Sequence, residues 1–345
     1  MPRPRHARLP ALAAIALLAL NATTACSSAA GRQVVVYTSV DQEYAETALD
    51  RFEAASGIDV KAVYDVEAAK TTGLVNRLIA ERERPLADVW WSGEFAQTVD
   101  LAQRDVLAPY ASPSAADIPA SAKDAGGLWT GFGGRARVLL VNTDKVDAAD
   151  RPSSIRDLLD WPISPDQIGM AHPVFGTAAT HAAALYATWG PEAARAYYQD
   201  IATRGVRIVD GNAVVRDMVA SGELAFGITD TDDACGAVKR GAPVALVFPD
   251  QEADGLGTLI VPNTVALVEG APHAAEAQEL IDVLLSTSTE QALIADDWIQ
   301  LSLRGAPGAS ACKLGAEVKG MGVELGAIAA QLERAKADMG AIFVR

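Results

Sequence analysis

The chain has 345 residues, half of them hydrophobic, with 44 acidic against 29 basic residues and a formal charge of −15. That apolar content sustains a packed core and argues against disorder, and the length suits two lobes better than one. An acidic surface repels phosphate backbones and anionic membrane faces, which argues against nucleic acid and the lipid surface as partners.

Arg3, Arg5 and Arg8 open the chain, an apolar run fills 11–20, and small residues at 21–25 lead to Cys26. This is the layout of a secretory signal peptide over residues 1–25, its apolar core too short to span a bilayer. The stretch Thr23-Thr24-Ala25-Cys26 resembles a lipobox, with Thr23 where Leu is usual. Cys26 is therefore the expected lipidation site and 26–32 a lipid-anchored tether. The mature chain then keeps 320 residues, 26 basic and 44 acidic, for a charge of −18. The expected location is outside the cytoplasm, on the periplasmic or cell-surface side of a bacterial membrane. Cys235 and Cys312 are left in the mature body. An oxidising compartment permits a bridge between them, with two separate buried thiols as the alternative.

Past the tether, strand-like and helix-like segments alternate. Residues 34–38 read as a strand. Tyr44, Ala48, Phe52 and Ala55 then recur at helical spacing up to Gly57, a C-cap. Strand 58–63, helix 71–84 stopped by Pro85, and strand 87–91 follow. Later come strand 206–210 with helix 213–221, strand 224–229 with helix 232–240, and strand 244–248. This alternation predicts an α/β fold of parallel sheets covered by helices. Two long extended stretches, 131–142 and 255–268, carry Gly or Pro interruptions and suit chain crossing between lobes. The expected lobes are 33–131 with about 258–300, and about 135–255, with a C-terminal helical segment, 301–345, packing on both.

Several stretches, in order, resemble the ferric-iron type of ABC-transporter substrate-binding protein. They are Val34-Val35-Val36-Tyr37-Thr38-Ser39, Phe52-Glu53 with Gly57-Ile58-Asp59-Val60, Ala87-Asp88-Val89-Trp90-Trp91-Ser92, the run from Gly134 to Thr143, and Ser221-Gly222-Glu223-Leu224-Ala225-Phe226-Gly227. The resemblance implies a two-lobed periplasmic-binding-protein fold of type II, hinged by crossing extended segments. It also implies a ligand held in the cleft without chemistry and delivered to a membrane permease driven by an ATPase.

Ligands of α/β sheets gather beyond the carboxyl ends of strands. Thr38, Ser39 and Asp41 follow the first strand, and the resemblance places a metal ligand near Asp41, which could equally cap its helix. Glu94 follows the third strand near the family's acidic ligand, or is a first-turn glutamate that suits the helix dipole. Thr229, Asp230, Thr231, Asp232 and Asp233 give the sharpest local signal, because three carboxylates in four residues repel unless a cation or strong donors compensate. Capping by Asp230 or Thr231 accounts for only part of them. The iron-binding pattern has adjacent tyrosines here, so tyrosinate coordination is excluded from this strand end. A hard cation on Asp41, Glu94, Asp232 and Asp233 remains reasonable, and so does an ammonium group.

Gly176, Thr177 and Ala178 run from a strand into a helix whose first-turn N–H groups suit an anion. Arg135 and Arg137 share one face of an extended run; one suits the anion and the other surface acids. Asn212 falls at a family contact position or caps its helix. His172, His181 and His273 lack metal spacing and read as structural or surface. Of Trp90 and Trp91, one is expected in the core and the other possible in the cleft wall.

The expected function is the substrate-binding lipoprotein of an ABC importer, a monomer without a resident cofactor. Ferric iron or another hard cation with a synergistic anion comes first on the resemblance. The alternative ligand is a small zwitterionic or phosphorylated solute, its amine on the aspartates and its acid on the 176–180 helix start and Arg135. An enzyme reading rests on Asp230-Thr231-Asp232, which resembles the metal-binding Asp-x-Asp of glycosyltransferases. The leader argues against it, since nucleotide sugars are cytoplasmic. A surface scaffold would show no closure on a ligand.

Overall fold

The computed structural model describes Met1 and residues 31–65, 72–304 and 318–344. The segment expected to be a leader, with Cys26, and Cys312 lie outside the described residues. Strand β1 (Gln33–Thr38) leads to α1 (Gln42–Ser56), which buries Ala45, Ala48, Leu49 and Phe52 at helical spacing. Gly57 ends α1 at φ 69°, a left-handed value that favours glycine, and its N–H returns to the Glu53 carbonyl. Strand β2 (Asp59–Tyr64), helix α2 (Thr72–Glu81), strand β3 (Val89–Ser92), helix α3 (Ala96–Gln103) and the short β4 (Leu107–Ala108) complete the first half.

The second half opens with β5 (Thr130–Asn142), thirteen buried residues long. After it come α4 (Asp157–Asp160), β6 (Ile168–Ala171), α5 (Gly176–Trp189), α6 (Pro191–Arg204), β7 (Arg207–Val209) and α7 (Asn212–Ala220). Then follow β8 (Phe226–Asp230), α8 (Thr231–Lys239) and β9 (Val244–Val247). Strand β10 (Ile260–Val268) returns to the first half, and α9 (Ala274–Leu284), α10 (Thr287–Ala295), α11 (Leu325–Ala329) and α12 (Leu332–Ile342) close the chain. None of the described helices is long and apolar enough to cross a membrane.

The strands lie in the order β2-β1-β3-β10-β5-β8-β6-β7, with β4 on β10 and β9 on β5. The expected parallel pairing holds at the two ends, β2-β1-β3 and β8-β6-β7. The centre is antiparallel: β10 runs against β3 and β5, and β5 against β8 and β9. A mixed sheet therefore replaces the purely parallel one. The start of β5 pairs with β10 and its end with β8, so this one strand carries the chain from one half to the other. The β10 register slips between Pro262 and Asn263, where proline has no N–H for the ladder.

Trp90 and Trp91 are both fully buried. A strand covered on both faces buries both of its alternating side-chain rows, so neither tryptophan forms a cleft wall. Helices α11 and α12 share a core cluster with α5 and α6 through Ile328, Leu332, Ala335 and Met339. Tyr186 on α5 donates to Asp338 at 2.9 Å. Cys235 is buried and disulfide-bonded, which corrects the free-thiol alternative.

Candidate functional site

Of the helices that begin just past the carboxyl ends of parallel strands, four concern the site: α1 after β1, α5 after β6, α7 after β7 and α8 after β8. Their N-cap residues are Asp41, Phe175, Gly211 and Asp230, and none makes a side-chain capping bond. Asp41 and Asp230 thus occupy cap positions without capping, which corrects the capping alternative for both. A helix start left without a side-chain cap offers backbone N–H donors and the positive end of a dipole. These starts line one cavity of about 80 Å³ together with Ser39, Gly93, Glu94, Arg135 and His172. Gly176 opens α5 at φ 49°, which glycine adopts without steric penalty.

Strand register puts charge into this cavity. In the β5–β8 ladder Arg137 lies directly opposite Asp230. Its Nη1 donates to Asp230 Oδ1 at 2.7 Å, to Asn212 Oδ1 at 3.0 Å and to Thr177 Oγ1 at 3.3 Å. Asp230 Oδ2 accepts from the Thr177 hydroxyl at 2.6 Å and from Asn212 Nδ2 at 3.1 Å. Burial pushes the Asp230 carboxyl up, but Arg137 and Arg135 more than offset it and hold the group below the usual carboxylate range.

Two residues back on the same strand face, Arg135 donates from Nη1 to Asp232 Oδ2 at 2.9 Å and from Nη2 to the Gly93 carbonyl at 2.6 Å. Its guanidinium carbon lies 4.4 Å from the centroid of the Trp298 ring. The Trp298 indole N–H is in turn held by Asn263 Oδ1 at 3.0 Å. Arg135 is thus clamped by a carboxylate, a carbonyl and an aromatic face, a cation–π contact of about 1–2 kcal/mol when desolvated. Both arginines are buried, so neither meets the surface acids expected for one of them.

A Cβ on Gly93 would stand 3.2 Å from Arg135 Nη2 and 3.3 Å from the Trp298 ring. Gly93→Ala should therefore cost about 1 kcal/mol of stability by overpacking. Urea denaturation checks it; an unchanged midpoint would show that the clamp yields freely.

The acidic run meets three arginines. The carboxylates of Asp230, Asp232 and Asp233 each offer an oxygen within 4.8 Å of the others. Asp230 is matched by Arg137, Asp232 by Arg135, and Asp233 by Arg216 at 3.1 Å. Burial, Asp232 and Asp230 push the Asp233 carboxyl well above its ordinary value, with Arg216 and Thr229 offsetting only part. Burial, with Asp230 and Asp41, raises Asp232 despite Arg135. Asp232 Oδ1 is buried without a hydrogen-bond partner among the described residues.

Glu94 lines the cavity, yet both its oxygens are engaged. They accept from the Ala96 N–H at 2.6 Å, the Gln97 N–H at 3.0 Å and the Thr180 hydroxyl at 3.0 Å. It anchors the start of α3 and links it to α5, and burial raises its carboxyl. Thr38, Thr229 and Thr231 lie behind the cavity wall rather than on it. Thr38 accepts from the Val40 N–H, Thr229 donates to Asp233, and Thr231 ties Ala136 to Gln300. The other candidate positions, Ser39, Asp41, Arg135, Gly176, Thr177, Ala178, Asn212, Asp230, Asp232 and Asp233, converge on the cavity.

The histidines divide. His273 pairs with the buried Asp88 at 2.9 Å. His181 is buried, and desolvation, then Arg137, pushes its pKa down to about 3. His172 has the structural role expected, its ring held against the Phe343 carbonyl, and it also lines the cavity. Its place one residue past β6, on the approach to α5, was the available signal. Trp298 carried none, since it reaches Arg135 from a loop after α10.

Two α/β halves joined through extended strands, with helix starts and buried charges converging between them, define a solute-binding protein of the kind that serves ABC importers. The chain belongs to the bacterial extracellular solute-binding protein family, whose profile matches residues 47–311. It is 26% identical over 297 residues to a putative 2-aminoethylphosphonate-binding periplasmic protein of Salmonella typhimurium, covering 83% of this chain and 84% of that one. It is 25% identical over 300 residues to the major ferric iron-binding protein of Neisseria meningitidis, covering 81% and 83%. In structure it matches the ferric binding protein from Campylobacter jejuni with a TM-score of 0.81 over 90% of this chain and 100% of the other, at 19% identity.

Proposed function

We propose that the mature protein is exported, tethered by lipid on Cys26, and captures a small dipolar solute for an ABC permease and its ATPase. The lobes would be 33–131 with about 258–300, and about 135–255, closing on the ligand. The solute carries an oxyanion, a phosphonate or phosphate, at one end and a cationic group at the other. The observation that carries this reading is the convergence of four uncapped helix starts on one cavity that also holds Arg135 and the unpartnered Asp232 oxygen. The α5 and α7 starts and Arg135 supply the anion pole. Asp232, with Asp41 on the same wall, supplies the cation pole. An aminoalkylphosphonate has this charge layout, and the Salmonella relative bears that name.

Ferric iron with a synergistic anion is the second reading. The close spacing of the Asp230, Asp232 and Asp233 oxygens favours it, as does the Neisseria relative. The arginine facing each of these aspartates weighs toward the organic solute, because it supplies the positive charge a metal would bring.

Native mass spectrometry with elemental analysis, followed by calorimetric titration, separates the two. The expected result is saturable binding of 2-aminoethylphosphonate without metal. At a hundredfold excess over Kd it should stabilise the protein by about 2.7 kcal/mol, a melting rise of roughly 4 °C for a chain of this length. A stoichiometric iron signal with ferric citrate, and no response to the phosphonate, would hand the site to iron. Radiolabelled fatty acid should enter the wild type and not Cys26→Ala; equal labelling would remove the tether.

A further inference from the structure

We infer that His172 reads the protonation of the bound oxyanion, selecting a solute whose acid group keeps a proton, hydrogen phosphonate or hydrogen phosphate, over a sulfonate or sulfate. The inference rests on the dipolar-solute reading of the same cavity.

The argument starts at the far side of the ring. His172 Nε2 lies 3.0 Å from the carbonyl oxygen of Phe343, just past the end of α12. A carbonyl oxygen only accepts, so Nε2 carries a proton, and in the neutral tautomer this leaves a lone pair at Nδ1. The Phe343 and Phe175 rings flank the imidazole at 6.2 and 6.3 Å between centroids. Nδ1 is buried and has no hydrogen-bond partner among the described residues, although the side chain lines the cavity and is only 7% exposed. A buried acceptor left unsatisfied costs free energy, so a ligand that supplies a donor is favoured.

The position of that acceptor gives it meaning. His172 stands four residues before Gly176, on the approach to the uncapped α5 start that forms the anion pole. At that pole the first-turn N–H groups and the Arg135 guanidinium donate, while the Asp230 carboxylate is already taken up by Arg137, Thr177 and Asn212. A fully deprotonated oxyanion offers only acceptors and would set a lone pair against Nδ1. A monoprotonated phosphonate satisfies both kinds of partner, its oxygens on the donors and its P–OH on Nδ1. A sulfonate of the same shape carries no proton at neutral pH. Two isosteric solutes should thus be told apart by one hydrogen atom.

Titration of the mature protein with 2-aminoethylphosphonate and with taurine, its sulfonate isostere, tests this at the wild-type level. The expected preference for the phosphonate is about 30-fold, the size of one unsatisfied buried hydrogen bond. His172→Gln keeps a donor for Phe343 but loses the acceptor at Nδ1, and should bring the preference to about threefold. His172→Asn places an oxygen near Nδ1 and should keep most of it. Equal wild-type affinities, or an undiminished preference in a folded His172→Gln, would overturn the inference and leave the dipolar-solute reading standing. Binding of neither probe would overturn both.

Discussion

Replacing Asp230 with alanine should destabilise the protein by about 3–5 kcal/mol, the cost of stripping one partner from a buried ion pair. Arg137 is 1% exposed and would keep its charge with no carboxylate to face it. Thr177 and Asn212, which both donate to Asp230, would lose their acceptor as well. Urea denaturation measures the loss directly. The double variant Asp230→Leu with Arg137→Met should recover most of it, because well-packed apolar replacements of buried pairs are often neutral. A single-variant loss below about 1 kcal/mol would mean that water reaches the pair and screens it. Ligand capture should fail in both variants, since Asn212 and Thr177 stand at the proposed anion pole and donate to Asp230.

This network shows what the sequence could and could not disclose. The three-aspartate run was visible as a place where charge needs compensation, and it does line the cavity. The compensation itself lies 93 and 97 residues earlier, in Arg137 and Arg135. Only the antiparallel register of β5 against β8 sets those residues together, and the βα alternation pointed to parallel pairing instead. The long extended runs were legible because Gly and Pro interrupt them. The tryptophans of β3 were not, because a period-two pattern cannot say whether both faces of a strand are covered.

The helix starts were misleading for a related reason. Asp41 and Asp230 have the composition of N-caps, but tertiary partners draw the Asp230 carboxylate away from its own helix. Its charge is turned to Arg137, and its side chain makes no capping bond to α8. A cap was given up at the place proposed for the ligand. Local propensity yields at functional sites in this way.

A second large effect should be visible in acid. Desolvation, then the nearby Arg137, holds the His181 pKa down to about 3, against an ordinary value of 6.5 in the unfolded chain. Below pH 6.5 the unfolded chain takes up a proton that the folded ring refuses, so stability falls as pH falls. At pH 5 the loss is roughly 2 kcal/mol, and it stops growing only near pH 3, where the folded ring protonates too. The raised carboxyls of Asp233 and Asp232 act in the opposite sense. Their folded forms keep protons that the unfolded chain releases above about pH 4, so they contribute stability that is lost as pH rises through their folded pKa values. The wild-type profile is therefore a compensated one, flatter than either arm. His181→Leu fits the apolar lining formed by Met170, Leu185 and Ile228, and should remove the acid loss. The variant should then gain stability from pH 7 down to pH 5. Asp233→Asn should do the reverse and steepen the acid loss. Melting temperature against pH for the three proteins decides it: if His181→Leu falls in parallel with the wild type between pH 6.5 and 5, the histidine is not held neutral in the fold.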